Sequence, residues 1–180
     1  MPKTIKIPEQ ELWNETKQEF YYIKPATLQI EHSLVSLSKW ESKWHKPFLG
    51  KEEKTMEETI DYIRCMTITQ NVNPEVYQFI TDDVVDQIAE YIEDPMTATW
   101  FSSKPKKLGR DVVTSELIYY WMVIHNIPFE CQKWHLNRLI TLIRVCNEMN
   151  TPKKKRSARQ IAKDNAALNA ARRKALNSKG

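Results

Sequence analysis

Glycine is almost missing. The 180-residue chain has three, Gly50, Gly109 and Gly180, and no two are close together. A phosphate-cradling loop or a dinucleotide fingerprint needs clustered glycines so that the backbone can approach an anion, so nucleotide-fold enzymes of those kinds are not expected. Long apolar runs are also missing: none reaches the roughly 20 residues that cross a bilayer, and Met1 to Gln10 lacks the apolar segment of a signal peptide. The expectation is a soluble, intracellular protein without membrane contact. Cysteine is scarce and odd in number. Cys65, Cys131 and Cys146 lie far apart inside apolar helical patterns, which reads as buried reduced thiols rather than a disulfide frame. Cys131 and His135, four apart on one expected helix, form at most half a zinc site beside no CxxC or HExxH, and a core cysteine next to a surface histidine is preferred. His32, His45 and His125 read as ordinary histidines. Paired catalytic carboxylates, a nucleophile elbow and a triad signature are absent too, so no catalytic, cofactor-binding or metal residue is assigned and the protein is expected not to be an enzyme.

What is present is a long apolar-rich stretch, Thr114 to Met149. Thr114 and Ser115 suit an N-cap, and Leu117, Ile118, Trp121, Met122 and His125 follow at helical spacing. Asn126 and Pro128 break the run. Pro128 fits the first position of a second helix carrying Phe129, Trp134, Leu139, Ile140, Leu142, Ile143 and Cys146. Two helices with so short a break predict a helical hairpin core at 114–149. Upstream, Thr4–Ile7 alternates like a strand, Glu11–Trp13 and Glu19–Ile23 predict an aromatic β-hairpin, and Thr27–Ile30 adds a strand. Leu34, Leu37, Trp40 and Trp44 predict a helix from Ser33. Thr55 with Glu58 is a capping box, Asn73-Pro74-Glu75 starts a short helix, and Asp82 or Asp83 caps another before Pro95. The fold class is therefore mainly α with a small N-terminal antiparallel β-hairpin or sheet, α+β. Residues 1–152 form one mostly helical globular domain, and 153–180 a basic, Ala-rich flexible tail with a C-terminal helix.

The net charge of +4 conceals a division. The tail holds ten bases against one acid, net +9, and the body seventeen bases against twenty-two acids, net −5. Only the tail could serve nucleic acid. Lys153, Lys154, Lys155, Arg156, Arg159, Arg172 and Arg173 are its candidate partner contacts. In the loop before them, Trp100-Phe101 reads first as a hydrophobic plug folded back on the body and second as a partner anchor. Six tryptophans favour a wide aromatic core, with an aromatic protein interface as the sharper alternative. From the residues alone, the body is an interaction or structural protein.

The phrases LQIEHSLVSLSKWESKWHKPFL, DPMTATWF, TSELIYYWM, IPFECQKWHLNRLITLIRVCN and NAALNAARRKALNSKG resemble a family of small tail-region proteins of long-tailed phages and prophages, the tail assembly chaperones. The resemblance covers nearly the whole chain. It implies a non-enzymatic protein of the bacterial host cytoplasm that coats the tape measure protein and helps recruit tail tube subunits, without cofactor. A permanent head or tail component of the virion, or a nucleic-acid-binding accessory acting through the tail, would share these features. The family offers no catalytic or ligand residues to transfer.

Overall fold

Pro8 and Pro25 set the form of the N-terminal region. Strand β1 (Lys3–Ile7) pairs antiparallel with β4 (Ala26–Ile30), and β2 (Gln10–Asn14) pairs antiparallel with β3 (Glu19–Ile23). Ile7 faces Ala26 and Gln10 faces Ile23, so one register runs through both ladders and sets the two prolines opposite each other in the gap. At that pair of prolines the ladder is interrupted, and one long ribbon divides into a base and a tip. The base buries Ile5, Ile7, Leu28 and Ile30 on one face. The outer edge of β4 is partly covered by residues 66–69: Glu31 N–H donates to the Met66 carbonyl (2.9 Å), Ile68 N–H to the Gln29 carbonyl (2.8 Å), and Gln29 N–H to Thr69 Oγ1 (2.7 Å).

The computed structural model describes residues 2–15, 18–101, 112–150 and 158–177. After the ribbon come helices α1 (Leu34–Trp44), α2 (Met56–Met66), α3 (Asp82–Glu93), α4 (Ser115–Ile124), α5 (Leu136–Asn150) and α6 (Ala158–Ala175), with 3-10 turns at Pro74–Phe79 and Phe129–Lys133. The chain is thus mostly helical with small antiparallel N-terminal ladders, the expected α+β class. No described helix is long and apolar enough to cross a membrane. Two compact units result, Met1–Asn147 and Glu148–Gly180. In the second, α6 is exposed throughout its described side chains.

Helix α1 organises the first unit. Ser33 caps it by accepting from Ser36 N–H while Ser36 Oγ accepts from Ser33 N–H, a reciprocal box that fixes where the helix starts. Leu34, Leu37 and Trp40 then point into the core at helical spacing, and α2, α4 and the Phe129–Lys133 turn pack around them. Trp40 donates its indole N–H to the Glu58 carbonyl (2.9 Å), which lets so large a side chain be buried without an orphaned donor. The expected Thr55–Glu58 capping box starts α2. At α3 the cap is Thr81 rather than Asp82 or Asp83, which occupy the first turn, where acids complement the helix dipole.

The expected hairpin at 114–149 differs in its second half. Residues from Pro128 on do not form one helix. The 3-10 turn ends at Lys133, Trp134 is extended, His135 bridges to Ser33, and α5 begins only at Leu136, whose N–H donates to the His32 carbonyl (2.7 Å). Backbone pairing with the start of α1 thus overrides local helix periodicity. The end of α4 does not sit beside the start of α5 as in a plain hairpin; His125 bonds Asn147 near the far end of α5 (3.0 Å). Both helices still feed the core, through Ile118 and Met122 and through Leu136, Leu139 and Ile143.

Candidate protein-binding surface

The most unusual element is α4. Every residue from Leu117 to Ile124 is apolar or aromatic, so the helix has no polar side to give to water. Ile118 and Met122 are buried completely; Tyr120, Val123 and Ile124 are exposed at the i, i+3, i+4 spacing of one helix face. Phe129, on the following 3-10 turn, is also exposed, and its ring lies 6.3 Å from that of half-buried Tyr119. A helix apolar all round is ordinarily buried all round, and the described residues cover this one on one side only. Glu116 and Glu130 bracket the exposed stripe. The Glu116 carboxyl is held below its usual range by hydrogen bonds from its own backbone N–H and the Thr114 side chain.

The position of α4 is fixed by an acid that the sequence reading did not single out. Glu41 is buried on α1, and its carboxylate accepts from two distant backbone N–H groups, Phe48 (2.8 Å) and Ser115 (2.7 Å). The Ser115 N–H is one of the orphan donors of the first turn of α4, so a side chain 74 residues away does the work of a cap. The expected local cap, Thr114, gives its side chain to the Glu116 carboxyl and caps no backbone N–H of the first turn. The available signal was an acid on the apolar stripe of α1, four residues after Leu37 and next to Trp40.

A second polar cluster lies where β4, α1, α2, α3 and α5 meet. His32 and His135 are both buried with ring centroids 5.2 Å apart, so His135 is not the surface residue expected beside Cys131. His32 Nδ1 shares a 2.5 Å hydrogen bond with the Tyr62 hydroxyl, and Tyr91 donates its hydroxyl to Glu31 (2.7 Å). His135 Nε2 lies 3.0 Å from the Tyr91 carbonyl, which can only accept, so Nε2 carries the hydrogen and the buried Nδ1 has no partner among the described residues. Burial, with His135 as a like-charged neighbour, pushes His32 down to about 3; burial also lowers His135, against the raising effect of its bond to Tyr91. Both rings are therefore neutral at pH 7 and tie the helices together. Among the described residues no group of three or more His, Cys, Asp or Glu is placed to hold a metal ion, and Cys131 lies on the 3-10 turn rather than on one helix with His135.

The residues singled out from the sequence fall into three places. Trp100 and Phe101 part company: Phe101 is half-buried under the Arg144 guanidinium, 3.8 Å from its ring centroid, whereas Trp100 is 82% exposed. Lys153, Lys154, Lys155 and Arg156 lie outside the described residues. Arg159, Arg172 and Arg173 are exposed on α6, where Arg159, Lys163, Arg173 and Lys174 share one face by helical periodicity and Ile161 and Leu168 the opposite one. Sequence reasoning missed the outer face of α4, because it assigned the whole apolar run to the core. A cleft of about 500 Å³ lies between the ribbon and residues 69–76, lined among others by Lys24, Thr27, Thr69, Asn71 and Glu75. Neither a family model, nor a curated protein, nor a solved structure matches the chain.

Proposed function

We propose that this chain is a non-enzymatic protein-binding module that acts as a phage tail assembly chaperone, covering the tape measure protein and recruiting tail tube subunits. The observation that carries the reading is the uncovered apolar face of α4. Three large side chains at i, i+3, i+4, extended by Phe129, match the ridge spacing of a second helix. The acids at both ends of the stripe favour a client helix whose apolar stripe is flanked by basic residues. Such a face is small, which suits a contact that must later be released. The tape measure protein, a long helical chain with apolar stripes, is the client that the family resemblance implies.

The test is a pull-down of the tape measure protein by the full chain. Val123→Lys and Ile124→Glu alter only exposed positions of α4, so both variants should keep the wild-type melting temperature while capture falls by about tenfold or more. Failure of the wild-type chain to retain the tape measure protein removes the reading. The exposed basic face of α6 supports a second reading, a nucleic-acid accessory. It predicts duplex binding that weakens steeply with salt and is indifferent to Val123→Lys.

A further inference from the structure

We propose that the ribbon tip, β2–β3, is a dimerisation arm whose partner is the same strand of a second copy of this chain. This surface is independent of α4. The ribbon face that buries Ile5, Ile7, Leu28 and Ile30 at its base carries Trp13, Phe20 and Tyr22 at its tip, by the two-residue alternation and the unbroken register. At the tip that face is largely open, with Tyr22 bordering the cleft beside residues 69–76: Trp13 is 49%, Phe20 56% and Tyr22 66% exposed. Trp13 and Phe20 pair across the strands at 4.7 Å, and Tyr22 is hydrogen-bonded to Glu11, its cross-strand neighbour, which raises the phenol above its ordinary value. A two-stranded ribbon with an aromatic face in water is marginal alone and gains from further strands.

The edge decides the occupant. Gln29 directs both its N–H and its C=O away from β1, to Thr69 and Ile68. Alternation then turns the backbone groups of Thr27, Ile23, Tyr21 and Glu19 to the same outer side. Residues 66–69 cover that edge only at Gln29 and Glu31, and the run from Glu19 to Ile23 contains no proline. An antiparallel copy related by a two-fold axis at Tyr21 satisfies these groups in one register: Tyr21 faces the second copy's Tyr21, and Glu19 faces the second copy's Ile23. On the exposed face Phe20 then stands opposite the second copy's Tyr22, which extends the Trp13–Phe20 pair into an aromatic row across three strands, repeated by the two-fold axis. No like charges oppose one another, since Gln18 meets Lys24. The register is thus self-complementary in hydrogen bonding, aromatic pairing and charge, as a two-fold contact requires.

Sedimentation of the full chain over a concentration series reads the proposal directly, with a dimer expected. Tyr21→Pro removes only an N–H that points away from β2, so the β2–β3 ladder keeps its bonds. Dimerisation should weaken by about a hundredfold, while Tyr21→Ala retains most of it. As a second reading that survives poor folding of the proline variant, Tyr21→Cys should oxidise to a covalent dimer well beyond the level wild type reaches through its own cysteines, because directly opposed residues lie within disulfide reach. A chain that stays monomeric at every concentration, or a dimer equally strong in Tyr21→Pro, or no excess cross-linking in Tyr21→Cys, overturns it.

Discussion

Leu139 and Trp121 are large apolar residues of the 114–149 region that differ in how much of each is buried. Leu139 is buried completely in the core, whereas Trp121 is half-buried. Leu139→Ala leaves a cavity in a shared core and should cost about 3 kcal/mol in a urea melt; Trp121→Ala sheds only partly buried surface and should cost about half of that. Equal losses would mean that α4 is covered on both sides. The histidine pair adds a pH dependence. His32 ionises near 6.5 in the unfolded chain and near 3 in the folded one, so between these values the unfolded chain binds the extra proton. Stability from this group is complete above pH 6.5 and is lost as pH falls, by about 2 kcal/mol at pH 5 for His32 alone. Melts at pH 7.5 and pH 5 should show that loss, and His32→Gln should flatten it at the expense of stability at neutral pH. Neither ring announced itself in the sequence, because partnership between residues 32 and 135 is set by the fold and leaves no local spacing.

Elements were legible where a local signal sufficed. The strand alternation around Ile5, the Ser33 and Thr55 starts and the stripe Leu34–Leu37–Trp40 depend on neighbours within a turn, and these elements lie where expected. The start of α5 was not legible: the bridge from His135 to Ser33 and the bond from Leu136 to His32 are long-range, and they interrupt a sequence that is periodic enough to continue as helix. The outer face of α4 was hidden for a related reason, since apolar character alone does not say which side is covered. Glu41 is where element placement meets function. Glu41→Gln keeps the shape but turns an acceptor oxygen into a donor against either Phe48 N–H or Ser115 N–H. It should cost about 2 kcal/mol, since a buried charged hydrogen bond is lost and a donor is left unpaired. Hydrogen exchange at Ser115 should quicken more than at Leu37 of α1. Uniform quickening would show that Glu41 stabilises the core generally and does not specifically hold the first turn of α4.

At the scale of the molecule, charge and apolar surface are assigned to different units. Met1–Asn147 holds the core and the apolar face of α4, and Glu148–Gly180 holds an exposed helix with four of its five bases on one face. The division of charge between a body at −5 and a tail at +9 was readable from the sequence because it needs no geometry. If capture uses both, the two contacts act in series through a tether, and each raises the effective concentration of the other. A chain ending at Pro152 keeps every residue of the buried core, whose last member is Ile143, and should melt within about 2 °C of the full-length protein, as expected for changes remote from buried features. Its capture of the tape measure protein should weaken and, more tellingly, lose most of its dependence on salt, since what remains is the α4 contact, whose charges are only Glu116 and Glu130. Val123→Lys in the full-length chain should do the reverse and leave a weak, salt-sensitive residue of binding. A truncation that melts many degrees lower would place part of the fold's stability in the second unit. Capture that keeps its full salt dependence after truncation would assign the electrostatic contact to the body.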